Sequence, residues 1–202
     1  MARALAALLA LTVLAGCADP VWAPDAEVAR VSYRHDGPPR LTLLTMINNS
    51  SGNGAHSALM INASERVIFD PSGSFFHPAI PERNDVLFGV TPQVADVYIR
   101  YHARQTYHVV RQDIDVSPEV AEAVLARVKA YGAVRNGWCT KATADVLVGL
   151  PGFEEMRSYF FPNRLLEHWA GLPGVSTEAI FENDADDKSR ALEGVVFAPP
   201  QG

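Results

Sequence analysis

Two residues far apart in the chain have side chains that together can do covalent chemistry. Cys139 lies in Asn136-Gly137-Trp138-Cys139-Thr140-Lys141, and His56 in Gly54-Ala55-His56-Ser57. A thiol attacks carbonyl carbon as its thiolate, and an imidazole can take its proton and later hand one to the leaving group. The loop holding Gly137 runs into Thr143, Val146, Leu147 and Leu150, which fall at helical spacing. Cys139 is therefore expected at a helix N-terminus, where unpaired N–H groups and the helix dipole favour the thiolate. The competing expectation for a lone cysteine is a buried small hydrophobe.

An imidazole acting as base needs a group to fix its tautomer. His56 to Ile61 reads as a strand, Asn62 to Glu65 as a turn and Arg66 to Asp70 as the returning strand. Folding that hairpin sets His56 opposite Asp70 to Ser72, and cross-strand neighbours lie within about 5 Å at Cβ. Asp70 is the expected third member, with Ser72 behind it. Trp138 beside the thiol can wall a cleft or simply pack, and Asn136 is a candidate positioning or oxyanion residue. His77, in a covering loop, is the spare imidazole, with His35, His102, His108 and His168 as background. No His-x-x-x-His or Cys-x-x-Cys pair occurs, so neither a metal nor any other cofactor is expected.

The elements that must position these groups follow from pattern. Leu41 to Ile47 is a β-branched, apolar strand, and Asn48 to Gly54 a polar loop that either connects plainly or turns N–H groups to a substrate. Glu27 to Arg34 fits a strand or a short helix. Asp96 to Tyr101 and Thr106 to Ile114 alternate and suggest a hairpin around His102 to Gln105, with Tyr98, Tyr101 and Tyr107 as strand packing. Ser117-Pro118-Glu119 starts a helix whose buried stripe is Val120, Val124, Leu125, Val128 and Tyr131. Pro162 to Ala170 makes another, with Leu165, Leu166 and Trp169 on one side.

The chain opens Met1-Ala2-Arg3, continues as an apolar run from Ala4 to Ala15, and reaches Gly16-Cys17. One charge, a short apolar core and small residues before a boundary describe a secretory signal, too short to span a bilayer. Leu14-Ala15-Gly16-Cys17 resembles the bacterial lipobox, which implies lipidation of Cys17. Ala18 after it does not imply retention at the inner membrane. The expected organisation is a signal peptide over 1–16, a tether over 17–26, one domain over 27–180 and an acidic, partly disordered tail over 181–202. With Cys17 carrying lipid, Cys139 has no disulfide partner, and an oxidising compartment leaves such a thiol either buried or used. The net charge of −6 has no basic cluster, which argues against nucleic acid.

Histidine strand followed by cysteine helix resembles the circularly permuted papain-like hydrolases, relatives of NlpC-type cell-wall peptidases and of lecithin:retinol acyltransferase. More closely, Leu41 to Thr45, Gly54-Ala55-His56-Ser57-Ala58-Leu59 and the run from Asn136 to Asp145 around Cys139-Thr140 look like an uncharacterised bacterial envelope lipoprotein family. That family has GHSAL-like and NCT-like motifs, and the likeness spans residues 41–148. Ala55 stands where the family pattern has glycine, and Gly137-Trp138 separates Asn136 from Cys139. The resemblance implies an α+β permuted papain-like fold, an antiparallel sheet packed against helices, with Cys139 as nucleophile and His56 as base. It implies thiol hydrolase or acyltransferase activity on an amide of peptidoglycan stem peptides or on a lipid ester. Localisation would be the periplasmic face of the outer membrane, or soluble periplasmic or secreted without the anchor. A catalytically silent envelope lipoprotein that binds or scaffolds is the alternative, and a thiol redox protein would want a resolving cysteine.

Overall fold

The computed structural model describes residues 20–198. Signal and lipidation site, including Cys17, lie outside the described residues. Among the described residues no helix is long and apolar enough to cross a membrane. The architecture is α+β: one seven-stranded antiparallel sheet with helices on both faces.

The centre is built from β1 (Arg40–Asn48) and β2 (Gly54–Asn62), whose apolar runs are buried on both sides. β3 (Arg66–Phe69) extends the sheet from β2, followed by the short β4 (Glu82–Arg83) and β5 (Val86–Leu87) at one edge. On the other side of β1 come β6 (Tyr107–Asp115) and β7 (Ser176–Ile180), giving the order β4-β5-β3-β2-β1-β6-β7. The edge strand β7, polar and mostly exposed, has no apolar alternation that would reveal it in the sequence.

One face carries Leu41, Leu43, Leu59, Ile61, Val67 and Phe69 against α3 (Pro118–Tyr131), α4 (Cys139–Asp145) and α5 (Pro162–Ala170). Ser117 caps α3 through its hydroxyl, with proline at the first turn, and Val120, Ala121, Val124, Leu125 and Val128 form its stripe. Tyr131, expected in that stripe, is largely exposed and edges Phe69 instead. Leu165 and Trp169 of α5 are fully buried, while Leu166 is half-buried. Each such buried side chain stabilises by about 1.5–3 kcal/mol.

The other face carries Leu44, Met46, Ala58, Met60, Ile68 and Val109 against α2 (Pro92–His102). Here the expected strand over Asp96 to Tyr101 is wrong. Thr91 Oγ1 accepts from the Val94 N–H, Pro92 opens the first turn, and Val94, Ala95, Tyr98, Ile99 and His102 are buried at helical spacing. The alternation that suggested a strand was a fragment of this stripe. Near the start of the described chain, α1 (Asp25–Val31) resolves the strand-or-helix ambiguity as a helix. Before it, the tether already joins the body: Ala23 N–H donates to Glu82 O, and Asn84 N–H to Val21 O.

The segment after β7 is laid over α2 as a strap. Asp184 meets Arg104, Asp186 accepts from the Thr106 N–H and hydroxyl, and α6 (Lys188–Leu192) follows. Ala191, Leu192 and Phe197 pack on the α2-side core. Within the acidic segment expected over 181–202, contacts to the body run from Glu182 to Phe197.

Candidate active site

A register shift between Met46 and Ile47 leaves Ala55 without a partner in β1 and opens the strand pair at His56. Bulges of this kind re-aim the neighbouring side chain. Leu59 pairs with Phe69, so continuing the register sets His56 level with the Asp70–Ser72 turn beyond β3. There His56 Nε2 donates to Asp70 Oδ1 at 2.7 Å. The Tyr98 hydroxyl donates to the same oxygen at 2.6 Å.

Asp70 is buried, and its carboxylate is in place because residue 73 is glycine. A Cβ added to Gly73 would stand 1.8 Å from Asp70 Oδ2, and the Gly73 N–H closes the turn on Asp70 O at 2.9 Å. Gly73→Ala is therefore expected to push the carboxylate off His56. The overpacking cost is about 1–3 kcal/mol, and a raised midpoint of Cys139 alkylation together with a lowered Tm would register it.

Cys139 is the first residue of α4, after Gly137 makes the turn at φ of 81°. That conformation suits a residue without Cβ. The helix is pinned to β2 by Thr140 Oγ1 with Ser57 Oγ at 3.2 Å and by Thr143 Oγ1 donating to Ser57 O at 3.3 Å. The sulfur lies 3.8 Å from Thr140 Oγ1, and both that hydroxyl and the Ser57 backbone favour its thiolate. At its helical position the Cys139 N–H has no intrahelical acceptor.

The thiol and the imidazole are near enough to shift one another. Because Nε2 is held by Asp70, Nδ1 is the nitrogen left for sulfur. Burial would raise Cys139, but the His56 hydrogen bond and charge outweigh it and bring the thiol down to about 7. Burial would likewise pull His56 down, but Asp70 and the Cys139 thiolate overrule it and hold the imidazolium up to about 10. Asp70 is also desolvated, yet His56 keeps it below the usual carboxylate range. At neutral pH the imidazole is protonated and the sulfur stands at its midpoint, with the thiolate taking over as pH rises through about 7.

Of the other expected residues, Ser72 has φ of 52° and lines the turn, but makes no side-chain hydrogen bond to His56. Trp138 is half-buried, edge-on to Phe160 at 5.3 Å, with the Arg135 guanidinium 3.7 Å over its ring. Asn136 is exposed and lines a depression across the Ser72–Ser74 turn, beside Val134 and Asp85. The N–H groups of the Asn48–Gly54 loop already have acceptors in the protein: Ser50 and Ser51 donate to Asn48 Oδ1, Asn49 to Thr106 O, and Gly54 to Asn163 Oδ1 of α5. It is a plain connection. His77 meets Phe197 edge-on and does not line the cavity beside His56.

Reading the residues in line missed three side chains. Tyr98 holds Asp70, as described. His102, its ring stacked 6.1 Å from His56, donates through Nδ1 to Tyr98 O, and burial lowers it to about 4, so it is neutral. Lys188, on the strap, donates to Ser74 Oγ at 3.1 Å and sits 4.8 Å over the Tyr101 ring. The sequence signal for Tyr98 and His102 was the Thr91-Pro92 cap that makes 92–102 a helix; Lys188 had none.

A cavity of about 260 Å³ opens on this constellation, lined by His56, His102, Ser72, Ser74, Tyr107 and Lys188 among others. Cys139, 8% exposed, does not line it. Among the described residues no carboxylate lies within ion-pairing distance of Lys188. No family model, curated protein or solved structure matches the chain.

Proposed function

We propose that this chain is a lipid-anchored, periplasm-facing cysteine hydrolase or acyltransferase with a permuted papain-like fold. The observation that carries the reading is the relay from Cys139 through His56 to Asp70, with the thiol lowered and the imidazole raised. The thiolate attacks a carbonyl carbon, and the developing oxyanion faces the Cys139 N–H at the start of α4. His56 protonates the departing amine or alkoxide as the C–N or C–O bond breaks, leaving a thioester. His56 then takes a proton from water, or from an acceptor hydroxyl, which attacks the thioester and releases Cys139. Asp70, held by Tyr98, keeps the imidazole aimed.

Lys188 favours a substrate that brings an anionic group next to the scissile bond. Peptidoglycan stem peptides carry carboxylates and are the leading substrate class; a lipid ester follows. The test is incubation of the full chain with muropeptides and, separately, with phospholipids, comparing products with those of Cys139→Ser. Product formation lost in that variant supports the reading. Lys188→Gln is expected to raise KM for a carboxylated substrate about tenfold, the scale of a charge-assisted hydrogen bond, with little change in kcat.

One observation favours the silent alternative: the sulfur is nearly covered and does not line the cavity. A binding module would leave Cys139 inert to alkylation in the native protein.

A further inference from the structure

At the opposite end of the α2-side sheet face lies a basic pocket that the cysteine chemistry does not use. On β2, His56 and Asn62 are six residues apart on the same face, so the pocket is about 20 Å from the imidazole. Two adjoining cavities, about 50 and 390 Å³, share His35, Met60, Arg66 and Arg111 as walls.

Arg66 is only 8% exposed. Arginine is almost never buried without a paired charge. The acceptor for its Nε and Nη2 hydrogens is the Met60 thioether, at 3.3 and 3.2 Å, a weak one. Among the described residues no carboxylate lies within ion-pairing distance of it. The neighbouring cations are already matched: Arg40 binds Asp115 at 2.6 Å, and Arg111 Nε lies 2.8 Å from Asp113 Oδ2. That second contact has an angle that makes no hydrogen bond, so Arg111 Nε stays without a partner, as does Asn62 Oδ1. Arg66 is thus the guanidinium with no ion-pair partner of its own, sharing only the charge of Asp113, which Arg111 and Thr42 already hold, and it faces a cavity whose walls hold two more guanidiniums. Glu178 and Asp96 stand on the wall of the wider cavity only.

We propose that this pocket binds a phosphate or phosphomonoester oxyanion through Arg66, with Arg111 and Arg40 as flanking donors. Guanidinium forks match phosphate oxygens in pairs, which a compact ammonium cannot do. The narrow cavity suits the oxyanion itself, and the wider one beside it has room for the organic part of an ester. His35, lowered by burial and by the Arg66 charge, is the neutral wall that an anion would draw towards its protonated form. Nothing in this proposal depends on Cys139 being active.

The test uses the full chain in isothermal titration at fixed ionic strength, with inorganic phosphate and with dihexanoyl phosphatidic acid below its micelle concentration. Saturable binding of phosphate is expected, weakened about tenfold or more in Arg66→Met, the scale of a charge-assisted hydrogen bond to a buried group. Methionine fills much of the arginine volume and removes an unpaired buried charge, so the Tm of Arg66→Met should equal or exceed that of the parent. Should Arg66→Met fail to fold, Arg111→Gln serves instead, with a several-fold loss expected. Tighter binding of the lipid than of phosphate identifies a headgroup ligand, and equal or weaker binding a soluble phosphate. No saturable binding of either probe, or binding unchanged in the folded variant, overturns the proposal.

Discussion

Iodoacetamide is expected to alkylate Cys139 in the native protein with a midpoint near pH 7, well below the free-thiol value of about 8.5. The sign follows from the two shifts. Below about 7 the sulfur is protonated and slow. Above it the thiolate persists beside an imidazolium that keeps its proton to about 10. Alkylation should therefore rise once and stay high. Turnover, which also needs the imidazolium as acid, should rise through about 7 and fall through about 10. In His56→Ala burial is opposed only by the smaller effects of Ser57 and Thr140, so the midpoint moves to 8.5 or above, and the rate at pH 7 drops roughly 15-fold or more. A native thiol that stays inert across this range, yet reacts once the protein is unfolded, would remove the enzyme reading and leave the binding module.

Asp70→Asn is the second large effect. The carboxylate is the negative charge that holds His56 protonated, and its Oδ1 receives both Nε2 and the Tyr98 hydroxyl. An amide keeps the shape but not the charge, and can present N–H to the ring in place of oxygen. Turnover should fall by ~10²–10⁴, as when a triad carboxylate is neutralised elsewhere. His56 should titrate lower by NMR, and the Cys139 midpoint should move up with it. Tyr98→Phe removes one donor and leaves the charge, so its effect should be several-fold. An Asp70→Asn protein with turnover and His56 titration like those of the parent would make Asp70 a packing residue.

How far linear reading reached depended on how local each signal was. His56 and Asp70 belong to one hairpin, so counting residues about the turn at Ala63 and Ser64 brings them level. Cys139 at a helix start followed from the apolar spacing after Gly137. Strand period and helix period are short-range properties, and they carried β1, β2, β3, β6, α3 and α5. Where two periods overlap in a short window, as over Asp96 to Tyr101, the local pattern is ambiguous, and packing against β1 and β2 decided for a helix. Tyr98 and His102 went unrecognised with it.

What only the closed structure decided is which distant groups share a space. Lys188 reaches the His56 cavity because polar contacts at Arg104 and Thr106 hold the strap across α2, and neither its composition nor its period announces this. Gly73 looks like any turn glycine until the Asp70 carboxylate is seen resting on it. Arg66 reads as the polar first residue of a strand, yet the sheet buries it beside Met60 with no carboxylate at hand. The sequence alone determined the local conformations and the order of the reactive residues. The tertiary fold decided charge pairing and burial, because these are sums over neighbours that chain order does not list.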